Sequence, residues 1–102
     1  MAEMQPAQQQ WPVTFGDGAT ALAIAYEPDK LALTLLCDRA HPPGRPLAMR
    51  AHVAGEELAL QGKSAGSKRR EDGRFIVRIR LVTLRREQRA ALERALPTPS
   101  AL

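Results

Sequence analysis

Aromatic residues are scarce in this 102-residue chain: Trp11, Phe15, Tyr26 and Phe75 are all it has. A core must therefore rest on Leu, Val, Ile, Met and Ala, and a base-stacking platform for single-stranded nucleic acid has few rings to draw on. Cysteine is scarcer still. Cys37 alone forms no internal disulfide, and no Cys/His cluster has zinc spacing. It follows the apolar run Leu31 to Leu36, so it reads as a buried structural thiol and not as a nucleophile. Histidine is limited to His41 and His52, and no Asp or Ser is placed to complete a triad with either. Asp17, Glu27 and Asp29 read as turn carboxylates with no acid/base pairing among them. Gly16-Asp17-Gly18 is too short for a phosphate-binding loop and no helix follows it. These gaps argue against an enzyme, and no cofactor or metal is expected. No apolar run approaches the length of a membrane span, and the polar, Gln-rich Met1 to Gln10 lacks the apolar stretch of a signal peptide. A cytoplasmic protein without membrane insertion is the expectation.

The charge that is present is uneven. The formal net charge is +4, and from Ser67 onward ten Lys or Arg residues face only Glu71, Asp72, Glu87 and Glu93. Arg predominates, which suits bidentate contacts to carboxylate or phosphate.

The length fits one domain. Residues 1–10 read as a flexible tail, 11–96 as the domain and 97–102 as a second tail. Turn signals divide the domain into short segments. Gly16-Asp17-Gly18 precedes a strand from Ala19 to Tyr26. Glu27-Pro28-Asp29-Lys30 makes the next break. Leu31 to Cys37 is apolar on both faces, as a strand covered on two sides would be. After His41-Pro42-Pro43-Gly44, Leu47, Met49, Ala51 and Val53 alternate with Arg50 and His52. Ala54-Gly55-Glu56 reads as a tight hairpin, with Leu58, Leu60 and Gly62 continuing the inward face, and Gly66 to Gly73 as a charged loop. Phe75, Val77, Ile79 and Leu81 alternate with Arg78 and Arg80, the clearest period-2 signal in the chain. From Thr83 the period changes: Leu84, Ala91, Leu92, Ala95 and Leu96 fall at helical spacing, and Pro97 ends the helix. The expected fold is mostly β, a small six-stranded antiparallel barrel closed by a C-terminal α-helix. Trp11 and Phe15 are expected to pack on its open end.

This order of elements carries a resemblance. Pro42-Pro43-Gly44-Arg45-Pro46-Leu47, the strand after it, Gly55-Glu56-Glu57-Leu58, a basic hairpin, and Val77 to Leu84 leading into Gln88 to Leu96 together resemble a PilZ domain. The resemblance covers about Ala19 to Leu96. It implies a place in bacterial cyclic di-GMP signalling. PilZ receptors hold the nucleotide with Arg-x-x-x-Arg before the second strand and Asp/Asn-x-Ser-x-x-Gly at its end. Here the second motif falls on Ala25 to Lys30, where Ala25, Glu27 and Lys30 stand at its three defining positions and none matches. Glu27 brings a negative charge, and Lys30 replaces a glycine. No arginine occurs before residue 30. Losing one bidentate Arg–phosphate contact costs on the order of 1.5–3 kcal/mol, so losing two removes a micromolar affinity.

The expectation is therefore a PilZ-like adaptor that acts through protein contacts and does not hold cyclic di-GMP. The alternatives are a receptor with a non-standard site and a small nucleic-acid-binding barrel. Lys68, Arg69 and Arg70 in the charged loop, with Arg78 and Arg80 on the last strand, form the candidate surface for an acidic protein partner.

Overall fold

A computed structural model describes residues 10–98. The expected tails, 1–10 and 97–102, lie outside the described residues apart from Gln10, Pro97 and Thr98. Six strands form a closed, wholly antiparallel barrel: β1 (Trp11–Phe15), β2 (Thr20–Glu27), β3 (Ala32–Cys37), β4 (Pro46–Val53), β5 (Glu56–Arg69) and β6 (Phe75–Val82). The helix α1 (Arg86–Ala95) follows. Around the barrel the order is β1-β2-β3-β6-β5-β4, and β1 closes on β4. The closing seam is short: β1 meets β4 only from Val13 opposite Ala51 to Phe15 opposite Met49.

The alternation works as expected in the last three strands. Met49, Ala51 and Val53 of β4, Leu58 and Leu60 of β5, and Val77, Ile79 and Leu81 of β6 are buried, while Arg50, His52, Arg78 and Arg80 are exposed. Val53 pairs with Glu56, so Ala54 and Gly55 form a two-residue hairpin. Both have positive φ, 51° and 85°, as a type I′ turn requires. Gly62 faces inward opposite Leu81, where a Cβ would run into the Arg80 carbonyl and lie 2.7 Å from Ile79 Cγ2. Its missing side chain lets β5 and β6 approach there.

Several boundaries differ from expectation, each for a local reason. Trp11 and Phe15 belong to a strand of their own, β1, short and interrupted by Pro12. The segment from Gly66 is not a loop: β5 runs on to Arg69, and only 70–74 form the turn. An irregularity between Ser64 and Gly66 leaves Ala65 as an extra residue in the ladder, which inverts the alternation. Glu27 is the last residue of β2 and not part of a turn. Leu31 precedes β3, held at φ 52° after the single 3-10 turn Pro28–Lys30. Leu84 packs on the core from a position before the helix begins.

Helix α1 closes the end of the barrel where β2, β4 and β6 finish. Its Ala91, Leu92 and Ala95 are buried, with Leu92 wholly so, and Leu96 follows. At its N-terminus the Gln88 side chain accepts from the Arg85 N–H at 2.9 Å. Near its C-terminus the Trp11 indole N–H donates to the Ala95 carbonyl at 3.1 Å, satisfying one of the carbonyls a helix end leaves free. Beyond the helix the Pro97 carbonyl accepts from the Tyr26 N–H at 3.0 Å, tying the exit back to β2.

Candidate functional site

Ala25, Glu27 and Lys30, the positions singled out by the resemblance, stand at the β2 end. Ala25, just past a bulge in β2, is fully buried. Glu27 accepts a hydrogen bond from Arg78 Nη2 at 2.9 Å, and Lys30 Nζ lies 3.7 Å from its other oxygen. Register places Ala32 beside Glu27 and Thr34 beside Arg78, so this ion pair reaches over β3 from β2 to β6. Ala32 and Thr34 point outward yet are buried. Leu36, farther along the same outer face, is buried between Leu22 and Ile76. The carboxylate at Glu27 is thus engaged by the chain's own cations.

The five cations of the candidate partner surface separate into distinct settings. Arg78 and Arg80 share the outer face of β6, and Lys68 joins that face because it pairs with outward-facing Ile76. Arg69 pairs with inward-facing Phe75 and so projects at the barrel mouth. Arg70 begins the hairpin, 3.8 Å from Asp72, whose carboxylate also takes Arg74 Nε at 3.2 Å. The Arg74 N–H and guanidinium together hold the Asp72 carboxyl below the usual carboxylate range, the backbone N–H foremost. Lys63, not singled out from the sequence, stands directly opposite Arg80. The pair carries like charges face to face, and neither has a carboxylate partner among the described residues. Register was needed to find it: the two residues are far apart in the chain.

Cys37 and Tyr26 are both buried. Burial pushes the Cys37 thiol up to about 11, with Asp38 adding to the effect. It stays protonated and 2% exposed, as a packing residue. The Tyr26 hydroxyl is buried, and no side chain among the described residues meets it in full hydrogen-bond geometry, although the Arg89 guanidinium lies near it. Its pKa is raised, by burial first. Arg89 and Glu93 on α1 are close enough to act on it electrostatically. Among the described residues no three metal-ligating side chains come together, and no helix is long and apolar enough to cross a membrane.

A groove of about 910 Å³ runs along the outside of β1, β4 and β5, from the Gly16–Gly18 turn to the start of α1. Arg50 and Glu57 face each other across it at 3.6 Å, and Gln88 Nε2 closes one side by donating to the Ala59 carbonyl at 2.9 Å.

Compared with protein-family models, curated proteins and solved structures, the chain matches none. The reading of its function therefore rests on fold and chemistry.

Proposed function

We propose that the chain is a PilZ-like adaptor in bacterial cyclic di-GMP signalling, acting by contact with an acidic protein partner and not binding the nucleotide itself. One observation carries the second half of this reading. Glu27, at the altered nucleotide motif, presents a carboxylate already bonded to Arg78 and paired with Lys30. A phosphodiester there would have to compete with this carboxylate for Arg78 and Lys30. Support for the first half comes from the element order, six strands and a closing helix, and from the outer face of β5 and β6. There Lys63 and Arg80 are directly opposed, an arrangement that disfavours the free sheet. An acidic surface laid across them would remove that repulsion.

Isothermal titration with cyclic di-GMP tests the nucleotide half. No saturable heat is expected, and a low-micromolar isotherm overturns the reading. For the partner half the informative change is Arg80→Glu, because Arg80 has no ion pair to lose among the described residues, unlike Arg78. With an identified partner, it should slow association at low salt and leave the melting curve in place. Unchanged association kinetics would move the docking surface elsewhere.

A further inference from the structure

The mouth of the barrel opposite α1 is spanned by the loop 38–45. It joins β3 to β4, which are not neighbours in the ring, so the chain must cross that end. It is held there by backbone and hydroxyl bonds. The His41 N–H donates to Ser67 Oγ at 2.8 Å, and the His41 carbonyl accepts from Ser64 Oγ at 2.8 Å and Ser67 Oγ at 2.9 Å. The Gly44 N–H donates to the Ser64 carbonyl at 2.7 Å, and the Ser64 N–H to the Arg45 carbonyl at 2.9 Å. The extra residue Ala65 puts both hydroxyls on the inner face: Ser64 pairs with Ile79 and Ser67 with Val77, three positions apart but on the same side. A loop fixed this way holds its side chains in place before any ligand arrives.

Three of the loop's side chains, Arg39, His41 and Arg45, line one cleft. It has a volume of about 260 Å³ and is bounded by Asp17, Arg39, His41 and Arg45 over an apolar floor of Phe15 and Leu47. The His41 imidazole lies against the Phe15 ring, centroids 5.1 Å apart. Asp17 accepts from the Ala19 N–H at 3.0 Å and holds Arg39 Nη2 at 3.3 Å. Arg45 has no carboxylate partner among the described residues. Two guanidiniums against one carboxylate leave a single positive charge while the imidazole is neutral, and two once it is protonated.

We propose that this cleft binds a phosphate monoester group, held by Arg45 and His41 with Arg39 beside them. The dianion matches the cleft with His41 protonated, and Arg45 offers a planar pair of donors to its oxygens. Empty, the cleft disfavours that proton: burial first, then Arg45 and Arg39, push the imidazole below its ordinary pKa, and only Asp17 opposes them. A bound dianion reverses the field, so binding takes up a proton. For a ligand that stays a dianion, affinity should therefore rise as pH falls through the range in which the free imidazole titrates, whereas a phosphate monoester takes up a proton of its own at about pH 6.

The proposal is tested by NMR on the ring resonances of the two histidines in the intact chain. His52, exposed on the outer face of β4, is the internal control. Sulfate, a dianion throughout the range in which histidine titrates, serves as the pH-independent probe against chloride at equal ionic strength. Sulfate should leave about ten times more His41 imidazolium at a given pH than chloride does, with His52 nearly unmoved. Arg45→Gln, an exposed change that keeps the backbone bonds, should weaken sulfate and phosphate about tenfold and erase that difference. Phenyl phosphate should bind at least as tightly as inorganic phosphate, because the half-buried Leu47 side chain in the cleft can take its ring. Equal titration of His41 in sulfate and chloride, or indifference to Arg45→Gln, overturns the site. Exclusion of phenyl phosphate while the free ion binds overturns the monoester assignment.

Discussion

Apolar packing closes one mouth of the barrel, and hydrogen bonds to a charged loop close the other. Under α1 lie Leu92, Ala91, Ala95 and Leu96, with Trp11 and Tyr26 against them. Across the opposite mouth Ser64 and Ser67 hold the loop 38–45, and Asp17, Arg39, His41 and Arg45 stand around the cleft it forms. Apolar burial is non-directional and strong per residue, and each hydrogen bond adds about 1 kcal/mol net. The helix end should therefore carry stability, and the loop end should carry geometry. A binding site belongs at the second kind of closure, where polar groups can be exposed without opening the core.

The sharpest way to break that contrast is Leu92→Ala. The side chain is fully buried, and truncation of such a residue costs about 2–5 kcal/mol. For a domain of this size each kcal/mol lowers Tm by roughly 4–8 °C. Thermal melts should show a loss of roughly 10 °C or more. A near wild-type melt would make α1 a peripheral element and free it for docking.

Ser64→Ala probes the other mouth. Ser64 is 3% exposed, and its hydroxyl both donates to the His41 carbonyl and accepts from the Gly66 N–H at 3.2 Å. Removing it should cost about 1–2 kcal/mol, less than the leucine. The more telling readout is local. Amide hydrogen exchange should quicken in the loop 38–45 and stay unchanged in α1. If exchange in α1 quickens equally, the two closures are one cooperative unit and the contrast fails.

The helix end was far more legible in the sequence than the loop end. Val77, Ile79 and Leu81 show period-2 alternation, and Ala91, Leu92 and Ala95 show helical spacing, because a buried face imposes its period on the residues that fill it. Six strands and a closing helix followed from that. At the loop end the period fails. The bulge at Ala65 turns Ser67 inward, and polar side chains there serve the His41 backbone, so a strand continuing to Arg69 looked like a charged loop from Gly66. The cleft joins residues 15–17 to residues 39–41 and 45–48, which no local pattern connects. The cations suffered in the same way. Lys68, Arg69, Arg70, Arg78 and Arg80 are near one another in sequence and look alike. Only pairing register separates Arg78, bonded to Glu27, from Arg80, which faces Lys63.

The smallest expected difference between the two ends lies in their ion pairs. Glu27 and Arg78 meet at 2.9 Å over β3, and the Glu27 side chain is 27% exposed. Asp17 and Arg39 meet at 3.3 Å on the opposite rim, with side chains 61% and 67% exposed. Water screens the second pair almost completely, and holding two long side chains in one geometry offsets what Coulomb attraction remains. The first pair is partly dehydrated and covers Ala32 and Thr34, so more of its attraction survives. Glu27→Gln should therefore cost about 0.5 kcal/mol in urea unfolding, and a double-mutant cycle with Arg78→Gln should show coupling of similar size. Arg39→Gln should leave the urea midpoint where it is. It spares the bond from the Ala19 N–H to Asp17, so the turn keeps its shape. Raising the salt concentration should shrink the Glu27 effect without abolishing it, because a pair lying partly out of water is screened less than one fully in it. A larger loss from Arg39→Gln than from Glu27→Gln would reverse the ordering. The charged mouth would then be contributing stability, and its arginines would be committed to the fold and not available to a ligand.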